Sequence, residues 1–184
     1  MDNQNTKIVI IPGLGGSGEN HWQSFWLKQF DNTIEVVQDD WNAPNLEDWL
    51  DKLNKQLQNL DVPTILVAHS LAVSLVLHWA TKNTNPYIKG ALLVAPADVD
   101  SPSHTPESVR DFSVMPTSKL SFTSIVVASE NDNYVSLERA KYFANCWGSQ
   151  FINIGSKGHI NSDSNLKHWK EGQLILETLI TTVI

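Results

Sequence analysis

The chain has 184 residues, 41% of them hydrophobic, with 13 Lys and Arg against 20 Asp and Glu for a formal net charge of -7. That length is the span of one domain, and a chain of this size buries about 70% of the surface its unfolded form exposes, which excludes disorder as the main state. The acidic balance gives no general attraction to nucleic-acid phosphates or anionic lipid. The first apolar run, Ile8 to Ile11, follows a polar stretch from Met1 to Thr6 and is far shorter than a membrane span. Residues 1–184 therefore read as a single domain with no nucleic-acid or membrane partner. The lone Cys146 has no internal disulfide partner, which fits a reducing compartment and gives a cytoplasmic expectation.

Short apolar runs recur along the chain at Lys7–Ile11, Thr33–Val37, Thr64–Ala68, Gly90–Ala95, Thr123–Ala128 and Phe151–Ile154. Their near-continuous apolar character is what parallel strands covered on both faces require. Between them lie helical stripes: Trp22, Phe25, Trp26, Leu27 and Phe30, then Leu46 to Leu60, Leu71 to Trp79, Leu137 to Trp147, and His168 to Ile180. Ser136 is placed to cap the fourth helix and Gly148 to end it. The alternation predicts an α/β fold, a doubly wound sheet of about six mainly parallel strands with helices on both faces. One segment breaks the rhythm. Pro96 to Ser121 carries Pro102, Pro106 and Pro116 among several serines, and such a long irregular connection reads as a functional flap, with Asp98 to Met115 over a site entrance. Of the seven tryptophans, Trp49, Trp79, Trp147 and Trp169 read as helix faces packed on the sheet. Trp22 and Trp41 follow strand ends, where open α/β sheets place ligands.

The stretch Thr64-Ile-Leu-Val-Ala-His69-Ser70-Leu71-Ala72 runs a buried strand directly into an apolar helix with a serine at the joint. This is the pattern of a nucleophile elbow, with Ala68 and Ala72 where G-x-S-x-G has glycine. The elbow puts the Leu71 backbone N–H at a helix start, facing a developing oxyanion. A serine hydroxyl needs a base to take its proton and an acid to orient that base. Asp132 follows the fifth strand in Ser129-Glu130-Asn131-Asp132, and His159 follows the sixth in Gly158-His159-Ile160-Asn161, giving the order Ser, Asp, His. Glu130, Asp98 and Asp100 are the alternative acids. His69 is held in the elbow with its ring turned from the hydroxyl. The second oxyanion donor is expected from the Gly13 loop after the first strand, at Leu14 N–H.

The same loop supports a rival reading. Gly13-x-Gly15-x-x-Gly18 satisfies G-x-G-x-x-G, with Glu35, Asp39 and Asp40 near the next strand end, as in a Rossmann-type nicotinamide-dependent oxidoreductase. That reading leaves Ser70, Asp132 and His159 unexplained. A non-catalytic binding protein on the same fold is the third reading. No histidine pair has helix ligand spacing, so neither a metal site nor a cofactor is expected in the hydrolytic reading.

Pro12-Gly13-Leu14-Gly15, Ser17-Gly18-x-x-His21-Trp22-Gln23, Gln38-Asp39-Asp40-Trp41, Val67-Ala68-His69-Ser70-Leu71, Leu93-Val94-Ala95-Pro96, Val127 to Asp132 and Gly158 to Asn161 together resemble the small serine hydrolases typified by retinoblastoma-binding protein nine and YdeN, within the α/β-hydrolase superfamily. The resemblance implies an α/β-hydrolase-like, lidless fold, a triad of Ser70, Asp132 and His159, and hydrolysis of small esters or similar acyl compounds. It departs at Ala72, where bacterial relatives usually have glycine. Cys146 lacks Leu and Glu at the flanking positions of Leu-x-Cys-x-Glu, so a retinoblastoma-type partner does not carry over. Gly13, His21, Trp22, Trp41 and His69 are the expected substrate-binding residues.

Overall fold

In the computed structural model, which describes residues 6–184, the apolar runs pair into one sheet. Its strands are β1 (Lys7–Ile11), β2 (Thr33–Glu35), β3 (Thr64–His69), β4 (Ile88–Val94), β5 (Thr123–Ala128) and β6 (Gln150–Asn153). The polar stretch from Met1 to Asn5 lies outside the described residues. The order is β2-β1-β3-β4-β5-β6 and every neighbouring pair is parallel. From β1 the chain winds outward to β2, then returns past β1 to β3 and winds the other way. The reversal leaves a crevice beyond the C-terminal ends of β1 and β3, the place where open α/β sheets bind ligands.

Each strand sends alternate side chains to opposite faces, so each face needs its own helices. Val9, Ile11, Leu66, Leu93 and Val126 face α2 (Leu46–Gln58), α3 (Leu71–Lys82) and α4 (Leu137–Trp147). Ile8, Ile10, Val67, Leu92 and Val127 face α1 (Trp22–Gln29) and α5 (Lys170–Val183), where Trp22, Trp26 and Trp169 fill the layer. Ser136 and Gly148 cap α4 as expected, the serine accepting from Arg139 N–H and the glycine at φ 70°. Among the described residues no helix is long and apolar enough to cross a membrane.

The differences from the sequence reading are at element ends. β2 stops at Glu35 rather than Val37, because this edge strand pairs only with Ile8 to Ile10 of β1. β4 begins two residues early and ends at Val94, since Ala95 turns the chain at φ 47°. The last helix starts at Lys170 after a left-handed Trp169. Within the irregular segment the chain forms a 3-10 helix, Glu107–Phe112, whose Val109 and Phe112 are buried.

Candidate active site

Ser70 sits where β3 passes into α3 without a loop, at φ 59° and ψ -123°. A non-glycine residue in such a region costs about 1–3 kcal/mol and persists only when its surroundings over-determine it. Here they do. Ser70 N–H donates to Val94 O at 3.0 Å, and Ser70 O accepts from Val73 N–H at 3.0 Å. Ala68 and Ala72 are both fully buried, so the turn closes with alanine in place of both glycines. Gly13 explains the close packing above it: a Cβ there would lie 2.8 Å from His69 O, 3.0 Å from Ser70 Cβ and 3.2 Å from Leu71 N. Only a glycine lets the β1 loop lie against the elbow this closely.

The side chains of Ser70, His159 and Asp132 meet although they stand on three strand ends. Ser70 Oγ is 2.7 Å from His159 Nε2, and His159 Nδ1 is 2.9 Å from both carboxylate oxygens of Asp132. An ionised carboxylate only accepts, so Nδ1 carries the proton and Nε2 is free to accept from the serine O–H. The Asp132 side chain is wholly buried and the imidazole is 10% exposed.

The loops bearing Asp132 and His159 are stitched together. Lys157 N–H donates to Ser129 Oγ at 2.8 Å and Gly158 N–H to Asn131 Oδ1 at 2.7 Å, while Asp132 Oδ1 accepts from Tyr134 N–H at 2.8 Å. From the other side, Trp22 Nε1–H donates to Ile160 O at 2.8 Å and His69 Nε2 lies 2.9 Å from His159 O. A carbonyl only accepts, so His69 Nε2 carries its proton. Burial and the neighbouring His21 and His159 hold the His69 pKa well below its ordinary value, keeping the ring a neutral donor. His21 is lowered to about 4, by burial first and His159 second. Its Nδ1 accepts from Gln23 N–H at 3.2 Å and caps α1.

A cavity of about 190 Å³ opens over Ser70, walled by Leu14, His21, His69, Leu71, Val109 and Tyr134, with Asp163 at its exposed rim and no Lys or Arg among the lining residues. The backbone N–H groups of Leu14 and Leu71 have no hydrogen-bond partner among the described residues. Trp22 and Trp41 are not in this wall. Trp22 is fully buried behind it, stacking edge-on against Trp26 and Trp169, because α1 turns that face to the sheet. Trp41 packs on Trp49 and under Gly16, and its carbonyl accepts from Gly15 N–H at 2.9 Å, so it braces the loop from outside. Gly13 acts by proximity to the elbow, and His21 and His69 reach the cavity itself. The flap expected over the entrance supplies Thr105, Pro106 and Val109.

The alternative acids are engaged elsewhere. Asp98 and Asp100 pair with Arg139, each at 3.0 Å, and Glu130 accepts from Asn153 at 2.9 Å. The features of a nucleotide-binding turn are likewise not assembled. α1 begins four residues after Gly18 with its first turn capped by His21, Asp39 binds Lys52, and Asp40 accepts from Asn42 and Ala43 N–H. Among the described residues no three His, Cys, Asp or Glu side chains stand together as a metal site.

A parallel sheet of this order, with a serine elbow after its third strand, is the α/β-hydrolase fold. The pattern of the serine hydrolase family matches residues 8–178, and the chain belongs to that family. A YdeN-like hydrolase from Pectobacterium atrosepticum SCRI1043 superposes with a TM-score of 0.86 at 30% identity, covering 98% of this chain and 94% of that one. The ydeN gene product of Bacillus subtilis superposes with a TM-score of 0.77 at 21% identity over 96% of this chain and 99% of its own. In sequence, hydrolase YdeN of B. subtilis (strain 168) is 40% identical over 78 residues, a stretch spanning 40% of each chain.

Proposed function

We propose that this protein hydrolyses small, uncharged ester-type acyl substrates through an acyl-enzyme on Ser70, with His159 as base and Asp132 as its orienting acid. The observation that carries the reading is the unbroken relay of hydrogen bonds from Ser70 Oγ through the imidazole to a buried carboxylate. As Oγ attacks the substrate carbonyl carbon, its proton passes to His159 Nε2 and the carbonyl oxygen becomes an oxyanion held by Leu14 and Leu71 N–H. Collapse breaks the bond to the leaving alcohol, which takes the proton from Nε2. Water then gives a proton to His159 and attacks the acyl carbon, and the second collapse returns that proton to Ser70 as the carboxylic acid leaves. The small cavity and the absence of a lining cation favour a short acyl group without a carboxylate of its own. The test is hydrolysis of p-nitrophenyl acetate by the wild type, Ser70→Ala and His159→Ala. Turnover by the wild type that both substitutions abolish supports the reading. Equal turnover by all three removes it.

A further inference from the structure

Gln23 is fully buried at the start of α1, under the loop that carries the Leu14 amide. Its side-chain amide is spent on three partners. Nε2 donates to Ile11 O and to Val67 O, each at 3.2 Å, and Oε1 accepts from Ser17 Oγ at 2.6 Å. The orientation follows from chemistry, because the reversed amide would set its oxygen against two carbonyls that have no proton to give.

These partners are not scattered. Ile11 is the last residue of β1 and Ser17 lies beyond the loop it begins, so one side chain ties both ends of the segment holding Gly13, Leu14, Gly15 and Gly16. Val67 is three residues before Ser70 on β3, so the same amide ties that segment to the strand that delivers the nucleophile. A second contact, Ser24 Oγ–H to Ser17 O at 2.8 Å, fixes the far end of the loop. A leucine here would fill the space. Both carbonyls already belong to the β1–β3 ladder, so the amide adds a further donor to each and joins the loop, the strand and α1 at one point.

We infer that Gln23 is a positioning residue for the oxyanion site: it fixes the distance and angle between the Leu14 amide on the β1 loop and the Ser70–Leu71 elbow on β3. The inference rests on the acyl-transfer reading above. In that reaction the two N–H groups stabilise charge that exists only after attack, so a shifted loop weakens the transition state more than the bound ester.

The test is steady-state hydrolysis of p-nitrophenyl acetate by wild type, Gln23→Met and Ser17→Ala, with thermal unfolding of each. Displacing a donor by about 1 Å costs up to about 100-fold. Gln23→Met is expected to lower kcat by about 10- to 100-fold with KM within about twofold, and Ser17→Ala, which removes the contact to Gln23 Oε1 but keeps Ser24 on the Ser17 carbonyl, by a smaller factor with the folded state retained. A lowered Tm with kcat intact in both variants, or a rise in KM alone, overturns the inference and leaves the hydrolytic reading standing. If Gln23→Met does not fold, the Ser17→Ala kcat decides. Wild-type protein that turns over no ester removes the hydrolytic reading itself, and this inference with it.

Discussion

The two walls of the cavity are built on different physical plans. The inner wall, from Gly13 to Ser17 and from His69 to Ala72, consists of strand ends whose backbones touch, and its geometry follows from what cannot fit there. The outer wall, the Asp98 to Met115 flap, is an irregular segment anchored in the core by Val99, Val109, Phe112 and Met115, and the turns between these anchors are held by arginine. Arg110 Nη1–H donates to Val99 O at 2.6 Å and to Thr105 Oγ1 at 2.8 Å, and Arg139 from α4 grips Asp98 and Asp100. Asp100 in turn accepts from Met115 N–H at 2.9 Å. Close backbone packing backed by the buried ties of Gln23 fixes the inner wall, whereas the arginine clasps of the outer wall are only part-buried. In the proposed mechanism the inner wall serves transition-state chemistry and the outer wall substrate fit.

This contrast gives an order of expected effects. The largest belongs to the relay, where Asp132→Asn keeps the shape but presents an amide N–H or the wrong tautomer to His159. That change is expected to lower kcat by about 10⁴-fold with the fold intact, read by ester turnover and circular dichroism. Gly13→Ala comes next, because its Cβ would lie 2.8 Å from His69 O and the loop must retreat, taking Leu14 with it. We expect about a 100-fold loss in kcat at nearly constant KM. A smaller and different effect is expected in the outer wall. Arg110→Leu deprives the flap of several charge-assisted contacts, each worth about 1.5–3 kcal/mol at most, so KM should rise and Tm should fall while kcat changes little. A large kcat loss from Arg110→Leu with KM unchanged would erase the distinction between the walls.

How much of this was legible in the sequence follows the same division. The elbow was readable because strand, serine and helix are contiguous, and the series Ser70, Asp132, His159 because each follows an apolar run. The six parallel strands follow from runs that are apolar on both faces. The 3-10 helix is not legible there, because its only signal is the spacing of Val109 and Phe112, one apolar pair among prolines and serines. Nor are the clasps: Arg139 with Asp98, Asn131 with Gly158, and Gln23 with Val67 join residues far apart in sequence, and a polar residue carries no mark of being buried. Trp22 followed a strand end, as a ligand-facing residue does, but α1 turns it inward and its indole instead holds the Ile160 carbonyl.

A last effect bears on the folded state and not on turnover: a pH dependence of stability arising from His21, beside the inner wall, and His69 within it. His21 falls to about 4 in the folded protein from 6.5, and His69 shifts in the same direction. Above pH 6.5 both are neutral in either state and contribute no slope. As pH falls below 6.5 the unfolded chain takes up protons that the folded one refuses, so stability is lost until the folded pKa is reached. For His21 the total is about 3 kcal/mol by pH 4. The urea midpoint should drop between pH 7 and pH 5, and His21→Asn, which keeps a capping side chain, should flatten part of that drop. An identical slope in the variant would contradict the burial of His21 as a neutral ring.

The central claim is that Ser70 Oγ is the activated nucleophile, and it is tested most directly by mass spectrometry of the intact protein after reaction with a fluorophosphonate, followed by peptide mapping. The account predicts a single phosphonyl adduct on Ser70 that forms in the wild type and fails to form in His159→Ala. An adduct on any other residue, or none at all on folded wild-type protein, would contradict it.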